Sequence, residues 1–261
     1  MNRMRWIVAL LAFFIAIAGA TAQAGQFGPP EPAAKDGEVL FGVGYFHYSD
    51  KGTVQGAGGS MGSKITANQV YAQASHGFMK NAESYLRLGA MDLKVSDAFA
   101  TGPGLSGFES GFNNGLKPFV TVGAKGIFNI TPTLGVGPFL QASLYSNYKD
   151  STAGRVLGFP ATQELKVKNL REIDAGVALQ GKIGRVIVYG GPFAYWTRAD
   201  VDWTGTITGI GADSDSGTYK GKNNFGGFAG VKVPVGGKLA LEFEGQQKSN
   251  LSVGASLTYS F

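Results

Sequence analysis

The chain has 261 residues, a net charge of +5 and no cysteine. The missing cysteine excludes a disulfide framework, a thiolate metal site and a cysteine nucleophile. Arg3 and Arg5 supply two of the positive charges, and the rest form no basic run, so no nucleic-acid partner is expected. Forty-one glycines with 12% aromatics is not the composition of a helical protein.

The N-terminus reads Arg3, Arg5, an apolar run from Trp6 to Ala18, then Ala22-Gln23-Ala24. A charged head, a short apolar run and an Ala-x-Ala site form the layout of a secretory signal peptide, predicted over 1–24. The run is shorter than the roughly 20 residues a spanning helix needs. Residues 25–36 (GQFGPPEPAAKD) hold three prolines and read as a tail that is ordered only if docked.

From Gly37 onward the pattern has period two, which predicts strands. Val39, Phe41, Val43 and Tyr45 share one face of a strand at about 38–48, with Gly42 and Gly44 opposite. Further strands are predicted at about 67–78, 83–94, 117–130, 134–146, 169–180, 185–198, 223–233, 238–247 and 250–261. The run at 185–198 is the least regular, because Gly190-Gly191-Pro192 sits in its middle. The last run is the cleanest: Leu251, Val253, Ala255, Leu257, Tyr259 and Phe261 alternate with Ser, Gly and Thr. Short connections (79–82, 129–133, 181–184, 234–237) alternate with long ones (49–66, 95–116, 147–168, 199–222), and the final one, 247–250, is short.

No segment after the signal peptide has 18 consecutive apolar residues. A chain that enters lipid without such a helix must close into a barrel, the other structure that satisfies every backbone group there. Strands of this length and turns of alternating length suit a transmembrane barrel. The predicted fold is all-β: residues 37–261 form one antiparallel up-and-down barrel of about ten strands, with eight or twelve left open. A soluble barrel would turn its charged face outward. Here the face opposite the apolar stripe is mostly glycine, serine and small polar residues, and the apolar face ends in aromatics.

With the C-terminal phrase Leu257-Thr258-Tyr259-Ser260-Phe261 in view, the chain resembles the small outer-membrane β-barrels of the OmpA, OmpW and opacity types. The stretch Lys117-Pro118-Phe119-Val120-Thr121-Val122-Gly123 is similar to a phrase of that group. The resemblance covers residues 37–261 as architecture and does not assign a subfamily. It implies a location in the cell outer membrane, with lipid and lipopolysaccharide as surroundings. It also implies an assembly signal, carried by Leu257, Tyr259 and Phe261, that is read by the outer-membrane assembly machinery.

If the apolar face meets lipid, the lumen carries Arg87, Lys125, Glu172, Asp174, Lys232, Glu242 and Glu244. Mixed charges in a narrow lumen are expected to pair, because unpaired burial is costly. The lumen is therefore expected to be largely filled by charge. Lumen glycines (Gly42, Gly89, Gly123, Gly230) argue for some remaining space.

The two histidines fall at opposite ends of the barrel, so no joint site is expected. His47-Tyr48-Ser49-Asp50 is similar to the His-x-Ser order of lipid A deacylases, but parity turns His47 toward lipid. Asp213 and Asp215 are too few oxygens for calcium. No catalytic residue, metal or cofactor is expected. The leading expectation is a non-enzymatic barrel with a structural or surface-contact role. The alternatives are a narrow channel for a small solute and a lipid-modifying enzyme.

Overall fold

The computed structural model describes residues 26–56, 59–222 and 224–260. The signal-peptide reading over 1–24 and the terminal Phe261 lie outside the described residues. The elements are β1 (Val39–Gly56), β2 (Gly59–Met79), β3 (Ala82–Val95), β4 (Leu105–Ser106), β5 (Phe112–Gly126), β6 (Phe128–Asn129) and β7 (Leu134–Tyr145). They continue with β8 (Tyr148–Val156), β9 (Phe159–Ile183), β10 (Val186–Ile207), β11 (Gly211–Gly221), β12 (Phe225–Gly236), β13 (Leu239–Gln247) and β14 (Leu251–Ser260).

Ten of these form a closed antiparallel ring: β1-β2-β3-β5-β7-β9-β10-β12-β13-β14, with β14 returning to β1 from Leu40↔Ser260 to His47↔Val253. The expected number of strands is the number in the ring. Closure leaves no strand edge in the lipid. Side chains alternate across each strand, so Val43, Leu88, Val122, Leu140 and Phe243 stand exposed on the outside. They form the apolar band that meets lipid tails. Phe46, Tyr85, Phe139 and Tyr195 are buried on the inside.

The short turns and the described N-terminal tail share one end, the periplasmic end of such barrels. At the other end the structure departs from expectation. Much of 49–66, 147–168 and 199–222 is not loop. β1 and β2 run on as a hairpin to Gly56↔Gly59, β8 pairs with β9 from Tyr148↔Val167 to Val156↔Phe159, and β10 pairs with β11 from Arg198↔Lys220 to Ile207↔Gly211. The strands persist because apolar residues now alternate onto the inner face, with Ile65, Leu165, Val167 and Val201 all buried. Among the four spans expected as loops, only 96–111 is mostly irregular, with β4 inside it.

The upper wall is built differently from the ring. β11 fits directly between β10 and β1, pairing Gly52↔Gly221 through Gly56↔Gly217, above the point where β12, β13 and β14 end. β8 carries the line of β7 upward along β9. Two register shifts mark the junction, at Met91/Leu93 between β3 and β5 and at Arg198/Asp200 between β10 and β9. Asn169, beside the second shift, has a φ of 52°. Bulges of this kind bend a strand and re-aim its side chains.

Candidate functional site: a docked tail and an apolar cavity

The periplasmic half of the lumen is occupied by the chain's own tail. Phe27 is 1% exposed and sits among Phe139, Phe193 and Phe228, with ring centroids 4.3, 4.9 and 5.1 Å away. Close tilted and edge-on rings are the favoured aromatic arrangement. The tail backbone is held by lumen charges. Glu244 accepts hydrogen bonds from the N–H groups of Gln26 (2.9 Å), Phe27 (3.1 Å) and Gly28 (2.8 Å). Gly28 takes a φ of +72°, a conformation that an L side chain would strain. Arg87 donates to the Gln26 carbonyl at 2.6 Å, and its guanidinium stacks between Tyr71 and Tyr85. Glu83 accepts from the N–H groups of Ala33 (2.6 Å) and Ala34 (3.0 Å) and pairs with Lys125 at 3.3 Å. Glu31 pairs with Lys182 at 2.8 Å on the lumen wall.

The structure brings five of the seven predicted lumen charges to this tail: Arg87, Lys125, Lys232, Glu242 and Glu244. Lys232 and Glu242 lie directly across the β12–β13 ladder and line the recess beneath Gly28. Arg87, Lys125 and Glu244 bond to the tail backbone, which supplies donors and acceptors that a mixed-charge lumen needs. The expectation of a lumen filled by paired charges is thus corrected: at this end the filler is the tail.

Glu172 and Asp174 lie higher, in a second cluster around Lys248. Lys248 is buried, 2.8 Å from Glu172 and 3.6 Å from Asp174. Its ammonium rests over Tyr48 and Tyr195 at 4.9 and 4.4 Å. Glu172 also accepts from Thr197 (2.5 Å) and Tyr48 (3.3 Å). Asp50 accepts from the Ser249 hydroxyl and shares the single Tyr48 hydroxyl proton with Glu172. Glu83 and Lys248 were missed in the sequence, and Asp50 was read there only as part of His47-Tyr48-Ser49-Asp50. Lys248 could have been found: Glu242, Glu244, Gln246 and Lys248 continue one inward parity, although the residue was assigned to a turn.

Above this cluster the lumen opens into a cavity of about 800 Å³. Its walls are apolar: Ile65, Leu93, Phe99, Leu165, Val167 and Val201 are buried around it. Glu172, Thr197, Gln69, Tyr48 and Tyr219 also line it. Among the described residues the lining contains four carboxylates, Asp97, Glu172, Asp213 and Asp215, and no lysine, arginine or histidine. Tyr219 is 3% exposed, and its hydroxyl has no hydrogen-bond partner among the described residues. Burial, reinforced by the carboxylates of Asp50 and Glu172, pushes that hydroxyl far up, so it stays protonated. The lumen therefore divides into a sealed polar half and an open apolar half.

His47 lies outside this space. Its Nδ1 is 3.0 Å from the Asn68 Oδ1, in a polar group with Tyr45 and Asp92 on the outer wall. Among the described residues no cluster of three or more metal-ligating side chains occurs. Leu257 and Tyr259 face outward on β14 and pair with Val43 and Phe41.

No family model and no curated protein matches the chain. Solved structures do. The translocator domain of the autotransporter NalP from Neisseria meningitidis is 11% identical, with a TM-score of 0.46 over 86% of this chain and 88% of that one. The outer-membrane protease OmpT from Escherichia coli is 12% identical, with a TM-score of 0.45 over 86% and 97%. An outer-membrane channel from Pseudomonas putida F1 is 10% identical, with a TM-score of 0.43 over 92% and 100%. The likeness is one of architecture. The chain folds as a closed β-barrel of membrane-spanning build. The closed ring and its outward apolar band are the physical basis of that statement.

Proposed function

We propose that this barrel is a non-enzymatic receptor for small apolar molecules at the cell surface. The observation that carries this reading is the cavity of about 800 Å³ at the extracellular end, lined mainly by aliphatic and aromatic side chains. A purely structural barrel has no need of such a space, since about eight strands already fill with their own side chains. Concave apolar pockets of roughly 300–1,000 Å³ are the usual form of a small-molecule site. The non-enzymatic reading is supported by the place of His47, on the outer wall and away from the cavity carboxylates.

The direct test is equilibrium binding of naphthalene to the refolded chain, followed by the fluorescence of Trp203 on the cavity wall. Saturable binding is expected, and Ala199→Trp, which fills the cavity from a buried wall position, should abolish it. A heat-modifiable gel shift verifies that the variant is a folded barrel. Absence of binding, or equal binding by the folded variant, contradicts the proposal.

Lipopolysaccharide as a surrounding partner is supported by the outer wall just above the apolar band. Lys51 lies directly across from Lys64, and Arg198 lies across from both Lys220 and Arg171. Like charges facing one another across a ladder are destabilising unless an anion joins them. Among the described residues none of the five forms an ion pair within 4 Å. Outer-leaflet lipid phosphates would meet them there. The outward face of β14 supports the assembly-machinery reading of Leu257 and Tyr259.

A further inference from the structure

The wall of the cavity is apolar, but its mouth is not. The mouth narrows the class of molecule taken, and this narrowing rests on the receptor reading above. Asp213 and Asp215 stand on β11 with the inward parity of Tyr219, and both border the cavity. Asp97 borders it from the irregular segment after β3. The cations of the same strands face the other way. Lys220 on β11 and Lys166 and Lys168 on β9 have the outward parity, and the last two already pair with Glu164 and Asp202.

Among the described residues none of the three mouth aspartates forms an ion pair within 4 Å. One oxygen of Asp213 accepts from the Ser214 N–H at 2.9 Å, and one of Asp215 from the Ser216 N–H at 2.7 Å. A cleft lined by one sign of charge above low-dielectric walls concentrates the field and draws in the opposite charge.

An acidic rim alone would hold a hydrated ion as readily as an organic one. The cavity beneath it and Trp203 separate the two. Trp203 is half-buried on the cavity lining and lies directly across the ladder from Asp215. A Cβ on Gly205 would stand 2.5 Å from the indole, so the ring leans along β10 over Gly205. Gly205 lies across from Asp213, which puts the indole beside both carboxylates. Among aromatic rings, indole attracts cations most strongly. One pleat further into the barrel the apolar wall is already complete, with Val167 and Val201 buried side by side. The floor offers a cation no such place, because Glu172 is occupied by Lys248, Thr197 and Tyr48.

We infer that the cavity takes an amphiphilic cation: an organic ammonium whose apolar body lies in the cavity and whose charge rests at the mouth among Asp97, Asp213, Asp215 and Trp203. An anionic amphiphile of the same shape meets like charge there and finds no cation in the lining among the described residues. An inorganic cation gains nothing from the apolar wall.

The test compares three probes of one shape, 2-naphthylmethylammonium, 2-methylnaphthalene and 2-naphthoate, on the refolded full chain in nanodiscs of zwitterionic lipid at low salt. The ammonium is expected to bind about tenfold more tightly than the hydrocarbon, a ratio that a few exposed ion pairs together reach. The carboxylate should bind most weakly. Salt of about 1 M, where the screening length is about 3 Å, should close the gap. The double variant Asp213→Asn, Asp215→Asn keeps an oxygen for the Ser214 and Ser216 N–H groups. It should lose the preference by weakening the ammonium alone, with 2-methylnaphthalene unchanged, and a heat-modifiable gel shift verifies its fold. Ammonium binding no tighter than the hydrocarbon overturns the inference, as does a preference that survives in the folded double variant. Tightest binding by the carboxylate overturns it as well. In each of those cases the receptor reading stands, because 2-methylnaphthalene still binds. Failure of all three probes overturns the receptor reading and the inference together.

Discussion

The two halves of the lumen solve the same problem in opposite ways. Both are bounded by inward-facing residues of the same strands. In the periplasmic half, beside the aromatic residues that hold Phe27, the inward residues include a dense set of charged and polar groups: Glu83, Arg87, Lys125, Gln180, Glu242 and Glu244. They cannot be left unpartnered, and the tail supplies their partners in the form of backbone N–H and C=O groups. In the extracellular half the inward residues are Ile65, Leu93, Leu165, Val167 and Val201. Apolar walls need no partner of their own, so a cavity can stand there. The lesson is that polarity along the lumen decides where a barrel is filled and where it stays open.

The largest test of that contrast removes the tail. Deleting residues 26–36 should convert a barrel that is silent in planar bilayers into one with steady conductance, while the intact chain stays closed. Silence of the folded deletion variant would show that the wall side chains close the lumen by themselves.

A smaller cut is Phe27→Ala. Removing a fully buried aromatic ring usually costs about 3–5 kcal/mol, which here is borne by tail docking. Trypsin cleavage at Lys35 should accelerate by at least tenfold, with the barrel intact. Glu244→Gln should act in the same direction more weakly. It keeps the shape but replaces bonds to an ionised group, worth about 1.5–3 kcal/mol each, with neutral ones of about 1 kcal/mol. An unchanged cleavage rate in both variants would mean that the tail is held elsewhere.

The smallest effect concerns the upper hairpin. Hydrogen bonds from Lys149 and Lys166 hold the half-exposed Glu164 carboxyl below the usual range. A lowered value contributes order above the ordinary carboxylate range and loses it as the pH falls through the folded value. Amide protection in β8 and β9, corrected for intrinsic exchange, should therefore fall in acid, and Glu164→Gln should remove that step. A step that persists in the variant would assign it to another carboxylate.

The ring was legible in the sequence because the apolar stripe of each strand keeps one parity through the membrane, as at Val39, Phe41 and Val43 or Leu251 and Leu257. The cavity was not legible, for two physical reasons. Beyond the band, apolar residues move to the inner face, and sequence alternation does not say which face is inner. In β9 the parity itself also flips. Leu165 and Val167 face in, whereas the equally odd Ile173 and Val177 face out, because the register shift beside Asn169 intervenes. The lumen charges were legible as residues, yet the tail that bonds to Arg87, Lys125 and Glu244 was not. Its prolines announce only that it has no regular structure of its own. Phe27, its single large apolar residue, is the one cue to docking.

The division of the lumen can be measured directly, because the chain has no cysteine to interfere. Single cysteines would replace Ala67, on the cavity wall, and Ala178, packed in the aromatic cluster around Phe27. Each would be exposed to a water-soluble maleimide in the refolded barrel. Ala67→Cys should react readily, and Ala178→Cys should stay protected until residues 26–36 are deleted. Labelling of Ala178→Cys in the intact chain, at a rate like that of Ala67→Cys, would contradict the account of a sealed half beneath an open one.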